Sequence, residues 1–160
     1  MTGIEIRPAR DGDAPSLAHV WNDSWHAGHA HLDPEAAAFR DLPYFQARIG
    51  SGPDLQYMIV ATIEGEIAGF SRWEGDGIAQ VFVAPDHFRK GIGEALLRKA
   101  ETALKDAGHK TIWLHCQEGN DHARAFYEKH GWRVTRTFDT ETGTHKGPMP
   151  TRAWHMEKTL

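Results

Sequence analysis

The segment Val81-Phe82-Val83-Ala84-Pro85-Asp86-His87-Phe88-Arg89-Lys90-Gly91-Ile92-Gly93-Glu94-Ala95-Leu96-Leu97 changes character twice. Ala79 to Val83 is mostly apolar and reads as a buried strand, which Pro85 stops. From Gly91 to Ala107 the apolar period becomes helical, with Ile92, Ala95, Leu96, Ala100, Ala103 and Leu104 on one stripe. Gly108 is suited to the C′ position that ends this helix. Between strand and helix lies a short basic loop with two glycines. The first turn of a helix has amides without intrahelical partners, and its dipole is positive at that end. Gly91 and Gly93 let backbone approach an anion closely, and Arg89 and Lys90 add charge. The arrangement suits a diphosphate. A dinucleotide fingerprint needs a third glycine where Leu96 stands, and a Walker loop needs Gly-Lys-Ser/Thr, so both are absent. A plain strand-to-helix turn is the alternative reading.

Toward the N-terminus, Gln56 to Ile63 and Glu66 to Trp73 read as strands joined by the turn Glu64-Gly65, and Asp76-Gly77 marks another turn. Gly50-Ser51-Gly52-Pro53 is a loop. A helix is expected from Pro34 to Ile49, interrupted near Pro43. Before it, Asp11 or Asp13 caps a helix carrying Leu17, Val20, Trp21 and Trp25, with Gly28 as its end. Ile4 to Arg7 alternates as a strand. Toward the C-terminus come a strand from Thr111 to Cys116 and an amphipathic helix from Asn120 to His130, ended by Gly131. Two closing strands follow, Arg133 to Phe138 and Ala153 to Glu157. Asp139 to Pro150, between them, is a loop or hairpin arm. This order predicts an α/β fold with a mixed sheet, forming one domain over residues 1–160.

The whole chain agrees with that. Its 160 residues are 40% hydrophobic and 25% charged, a globular composition, and the formal net charge of -4 does not favour nucleic acid as a partner. No signal-like segment or apolar run of membrane-spanning length is visible, which predicts a soluble cytoplasmic protein with no membrane partner. Cys116 is the only cysteine, so no intramolecular disulfide can form. His26, His29 and His31 cluster without a thiolate or carboxylate; the expectation is a pocket wall or helix end and no metal.

Two motifs together resemble the GNAT superfamily of N-acetyltransferases. Val83-Ala84-Pro85 followed by Gly91-Ile92-Gly93 is similar to its phosphate signature, Gln/Arg-x-x-Gly-x-Gly/Ala after a Val-x-Pro strand end. Asn120, Ala123, Phe126-Tyr127 and Gly131-Trp132 are similar to its second motif. Phe88 departs from the pattern, standing where the family has Gln or Arg.

The resemblance implies a GNAT-like fold: a central sheet of about seven strands, splayed at the cofactor site and flanked by about four helices. It implies acetyl-CoA as cosubstrate. Val81, Phe82 and Val83 would pair with its pantetheine arm, a backbone N–H near Val81 or Phe82 would stabilise the oxyanion, and Phe88, Arg89, Lys90, Gly91, Ile92, Gly93 and Glu94 would hold the pyrophosphate. Asn120 would bond the pantetheine as well as cap its helix. Tyr127 would be the general acid for the leaving sulfur; packing in the stripe Ala123-Phe126-Tyr127-His130 is its other reading. His115 is the candidate base, against a merely satisfied strand histidine. Gln80 and Glu74 lie near the opposite wall. Trp21, Trp25, His26, His29 and Trp73 are acceptor-pocket candidates, the first two equally core residues. The implied activity is acetyl transfer to a primary amine in a ternary complex. A small-molecule acceptor is expected, with protein N-terminal or lysine acetylation and a non-catalytic coenzyme A sensor as alternatives. A homodimer is compatible with the family.

Overall fold

The computed structural model describes residues 3–50 and 55–160. Strand β1 (Ile4–Pro8) leads through a short turn into helix α1 (Ala14–His29). Asp13 stands before α1, but its carboxylate turns back. It accepts from both Arg7 guanidinium nitrogens at 2.8 and 2.9 Å and from the Arg10 N–H at 2.8 Å, tying β1 to the helix. Helix α1 runs through Gly28, where the sequence predicts its end. The Ala30 N–H still reaches the His26 carbonyl, so the helix ends after His29.

The expected second helix divides into α2 (Pro34–Ala37) and α3 (Leu42–Gly50), which makes five α-helices among the described residues where about four are predicted. The break falls at residues 38–41. Asp41 Oδ1 accepts from the Tyr44 N–H at 3.0 Å, so Pro43 lies in the first turn of α3, where its missing N–H costs nothing. Pro43 thus begins a helix rather than kinking one. Ser51, Gly52 and Pro53 of the expected loop lie outside the described residues.

Next come β2 (Met58–Ile63), β3 (Glu66–Glu74) and β4 (Gly77–Val83). Glu64 and Gly65 both take positive φ, +52° and +81°, the requirement of a two-residue type I′ hairpin. The next turn is Gly75-Asp76; Gly77 already pairs with Glu74 as part of β4. Helix α4 (Ile92–Asp106) ends in a Schellman motif at Gly108, whose φ is +98°. The His109 and Gly108 amides there bond the Leu104 and Lys105 carbonyls. Strand β5 (Thr111–Gln117), helix α5 (Asp121–Lys129) and the long hairpin β6 (Arg133–Thr142) and β7 (Met149–Thr159) complete the chain. The polar stretch from Asp139 to Pro150 is therefore a hairpin arm, paired as far as Thr142 with Met149.

The seven strands form one sheet in the order β1-β2-β3-β4-β5-β7-β6, antiparallel except at β4–β5. On one face, α1 and α3 bury Leu17, Trp21, Trp25 and Phe45 against Met58, Val60 and Phe70. On the other, α4 and α5 cover the sheet: Ile92 and Leu96 meet Ala61 and Ala68, while Leu97, Ala100 and Leu104 meet Ile112, Leu114 and Met156. A Cβ on Gly69 would lie 2.8 Å from the Phe82 carbonyl oxygen and 3.1 Å from Leu96. Only glycine lets the start of α4 press so closely on β3 and β4, and this fixes the loop that precedes it.

Candidate active site

The parallel pair β4–β5 holds together for only two register positions, Gly77 with Trp113 and Ile78 with Leu114. Beyond them the strands part. The pairing of β4 with β3 slips at the same point: Arg72 opposes Gln80 but Trp73 opposes Ile78, so Ala79 is an unpaired bulge residue. A bulge increases local twist, and here it turns β4 away from β5. The edge of β4 from Ala79 to Val83 that faces β5 has no strand partner among the described residues.

This gap opens into a cleft of about 770 Å³. Val81, Phe82 and Val83 form one wall, and Leu114 to Gln117 with Asn120, Ala123, Phe126 and Tyr127 form the other. Phe88, Arg89, Gly91, Ile92, Gly93 and Glu94 close one end, and the C-terminal part of α1 with His29 and His31 closes the other. Every residue expected to act in catalysis or to hold the cofactor lines this cleft except Lys90. Its ammonium lies 3.2 Å from His87 Nδ1 on the exposed side of the loop.

The loop is shaped by two left-handed residues, Arg89 (φ +65°) and Gly91 (φ +81°). Helix α4 starts one residue later than expected, at Ile92, with Gly91 as its N-cap. After the Phe88 amide, which bonds Pro85, the next with a backbone acceptor is that of Ala95, which bonds Gly91. The amides of Arg89 to Glu94 thus form a row of six without protein acceptors among the described residues. A Cβ on Gly91 would meet nothing within 4 Å, so the mouth of the cradle is open. Phe88 is 47% exposed and supplies no charge.

Asn120 ties one wall of the cleft to the end of α1. Its Oδ1 accepts from the Ala123 N–H at 3.3 Å, capping α5, and its Nδ2 lies 3.4 Å from His29 Nε2. The His29 Nδ1–H donates to the Trp25 carbonyl at 3.2 Å and the ring stacks on Trp25, which leaves Nε2 as the acceptor for Asn120. Burial lowers the His29 pKa to about 4, so the ring is neutral at pH 7.

Tyr127 faces the cleft from α5, beside Phe126 and Trp132. Burial first, and the neighbouring Cys116 sulfur second, raise its pKa well above that of an ordinary phenol. The hydroxyl therefore keeps its proton, as an acid must. Cys116 is buried on the α5 side of the sheet, opposite in direction to His115. Burial pushes its thiol up to about 12, which removes it as a nucleophile at neutral pH.

His115 is exposed on the other face, and burial by its neighbours, then His155 and Arg136, lower its pKa. Its ring contacts Trp113 and Phe138, with centroids 4.7 and 4.6 Å away. Trp113, Phe138, His155 and Glu157 gather here without having been expected from the sequence. The acceptor candidates separate. Trp21 and Trp25 are core residues, the His26 Nε2–H donates to the Arg40 carbonyl, and only His29 lines the cleft. Trp73 and Glu74 line a different hollow with Tyr57 and Leu104, and Gln80 stands in the cleft wall, accepting from Arg72 at 3.3 Å. Among the described residues no three His, Cys, Asp or Glu side chains converge in a way that could hold a metal ion, and no helix is long and apolar enough to cross a membrane.

Comparison with known proteins agrees with this geometry. A peptidyl-lysine N-acetyltransferase of Escherichia coli, YiaC, is 29% identical over 132 residues, covering 81% of this chain and 83% of its own. An uncharacterised Bacillus subtilis protein, YxbD, is 44% identical over 61 residues, and that match spans only 38% of its length. The crystal structure of a GCN5-related N-acetyltransferase from Rhodopseudomonas palustris superposes with a TM-score of 0.75 at 22% identity, covering 100% of this chain and 98% of its own. The PaiA N-acetyltransferase of Thermoplasma acidophilum, solved in complex with coenzyme A, gives 0.70 at 21% identity, covering 98% and 99%. The family model described as acetyltransferase (GNAT) family matches residues 14–132, most of the chain. The chain is an acyltransferase and belongs to the GNAT family.

Proposed function

We propose that the protein transfers the acetyl group of acetyl-CoA to a primary amine by direct attack. The observation that carries this reading is the gap between β4 and β5, which ends on the six free amides of Arg89 to Glu94. A pyrophosphate fits such a row, because backbone amides and the positive end of α4 supply what an anion needs without a specific side chain. That is also why Phe88 is tolerated where the family has a polar residue. A pantetheine arm fits the unpaired edge of β4 as an added strand would, with Val81, Phe82 and Val83 on one side and Asn120 on the other.

Bound acetyl-CoA supplies an acetyl group activated as a thioester. The chain's own residues then divide the work by face. An amide near Val81 or Phe82 donates to the carbonyl oxygen as charge builds on it. His115, neutral at pH 7, takes a proton from the amine on one face of the sheet. Tyr127, held protonated, gives one to the departing sulfur on the other. General acid or base assistance of this kind is typically worth about 10² to 10⁴ in rate. The buried, proton-retaining Cys116 supports direct transfer over an acyl-cysteine route.

A second reading, acetylation of a peptide-borne lysine, is favoured by one observation. His115 is exposed, where a side chain presented on another protein can reach it, and the relative YiaC is named for that activity. Release of free coenzyme A thiol, measured with a panel of small amines, N-terminal peptides and lysine peptides, separates the acceptors. Tight acetyl-CoA binding with no release on any member would instead support a sensor. Gly91→Asp tests the cradle. Aspartate can cap α4 and accepts the left-handed backbone better than most residues, so the fold should survive. Its charge should weaken acetyl-CoA binding at least tenfold by calorimetry, and wild-type affinity would remove the assignment.

A further inference from the structure

Strand pairing puts His115 directly across from His155, and His155 lies two residues before Glu157 on the same face of β7. His115 Nε2 is 3.1 Å from His155 Nδ1, and His155 Nε2 is 3.1 Å from Glu157 Oε2. A carboxylate only accepts hydrogen bonds. The His155 Nε2 must therefore carry a proton. Neutral His155 then has its lone pair on Nδ1 and accepts from His115 Nε2–H. Neutral His115 in turn keeps its lone pair on Nδ1, the ring atom not engaged in the chain. One carboxylate at the end thus sets the direction of every proton back to the cleft.

The rings are held for this. Trp113 stacks on His155 at 5.7 Å and 17°, and His115 sits between Trp113 and Phe138. Trp113 is anchored by its Nε1–H to Asp76 Oδ1 at 2.7 Å and lies on Gly77, where a Cβ would come within 2.5 Å of the indole. His155 is largely covered, its side chain 14% exposed against 31% for Glu157. The other charges nearby are the Asp76 carboxylate, held by Trp113, and two guanidinium groups. Arg136 of β6 stands 4.8 Å over Phe138, and Arg133 approaches Glu157 only at 3.9 Å.

We infer that His155 and Glu157 are positioning residues which fix His115 as its Nε2–H tautomer and so present Nδ1 as the proton acceptor. The identity of the proton donor rests on the acetyl-transfer reading above. One N–H bond of the amine breaks, its electron pair stays on nitrogen, and the proton goes to His115 Nδ1. The imidazolium so formed keeps its Nε2–H on His155, whose own N–H faces the Glu157 carboxylate. Glu157 thereby offsets the charge gained two rings away, against the opposing field of Arg136.

Long-range ¹H–¹⁵N spectra of the full chain with ¹⁵N-labelled histidine test this without any acceptor. At pH 8 both His115 and His155 should carry the proton on Nε2. In Glu157→Gln the amide can donate as well as accept, so the His115 signals should shift toward a tautomer mixture, and the His115 titration midpoint should move to lower pH. His155→Phe keeps the stack on Trp113 but removes the link, and should likewise free the His115 tautomer. A wild-type His115 protonated on Nδ1 would overturn the inference by itself. So would tautomers unchanged in both variants, with amide spectra showing them folded. These readouts need no turnover, so the relay can stand if acetyl transfer fails. Conversely, acetyl transfer with a wild-type pH–rate profile in Glu157→Gln would reject the relay alone.

Discussion

At the scale of single residues, the cleft is lined by groups whose protonation is fixed by their surroundings. His29 shows the consequence for stability. Its pKa is about 4 in the folded chain and near the ordinary 6.5 in the unfolded one. Between those values the unfolded state binds the proton and the folded state does not, so stability falls as pH drops from 6.5 and levels off near 4. A shift of that size corresponds to about 3 kcal/mol. Protonation at Nε2 also removes the acceptor of the Asn120 amide and so loosens the cap of α5. His29→Phe keeps a ring to stack on Trp25 but cannot titrate. Urea unfolding at pH 7 and pH 4.5 should show a smaller loss in this variant than in the wild type, by about 2 kcal/mol. An equal loss in both would place the acid sensitivity elsewhere. The sequence shows His29 as one of three clustered histidines, and nothing in that cluster distinguishes it from His26. What separates them is the long-range contact with Asn120, which only tertiary structure supplies. The place of Tyr127 and Asn120 in the cleft wall was legible because short motifs fix their neighbours. His155 and Glu157 were not, because their meaning depends on which strand lies beside β5.

At the scale of elements, the strand-to-helix unit β4–α4 was legible nearly to the residue. Its turn chemistry, helical period and C-terminal glycine are all local, and the Schellman motif at Gly108 follows from them. The divided second helix was less legible, because proline signals either an interruption or a first turn, and the Asp41 cap decides for the first turn. How α4 is held to the C-terminal strands was not legible at all. Glu101, on the buried side of α4, accepts from Trp132 Nε1 at 2.9 Å and from Lys158 Nζ at 2.8 Å, and Lys158 also donates to the His130 carbonyl at 2.8 Å. One carboxylate thus joins α4, the end of α5 and β7. Removing one partner of such a group leaves the others unpaired and partly buried, which costs more than the pair itself contributes. Glu101→Ala should destabilise by about 2–4 kcal/mol, a melting shift of roughly 6–12 °C for a chain of this size. A shift below 2 °C would mean that Trp132 and Lys158 find other partners. Acetyl-CoA affinity should survive where the variant is folded, because Glu101 lies outside the cleft.

At the scale of the whole molecule, the chain closes the open face of the sheet from one side. The loop between β6 and β7 folds back over the first helices. The His145 N–H bonds the Phe39 carbonyl at 3.0 Å, its ring lies 2.6 Å from Asp41, and Lys146 Nζ stands 4.2 Å over the Phe39 ring. Gly143 passes so close to Tyr44 that a Cβ there would lie 2.4 Å from the hydroxyl. Residues about a hundred positions apart thus form a clasp beside the face that carries His115. The polarity and the Gly and Pro content of Asp139 to Pro150 marked a loop or hairpin arm but not where it docks, since the docking partner lies in another element. The contacts are at the surface, where ion pairs contribute little to global stability. His145→Ala should therefore leave the melting temperature nearly unchanged. It should nevertheless speed hydrogen exchange at the amides of residues 143–147 several-fold, because the loop can then open without unfolding the sheet. With a bulky peptide acceptor the opened loop should lower KM, and with a small amine it should not. A large fall in melting temperature would show that the clasp is a structural tie, and unchanged exchange would show that Gly143 and Lys146 hold the loop without it.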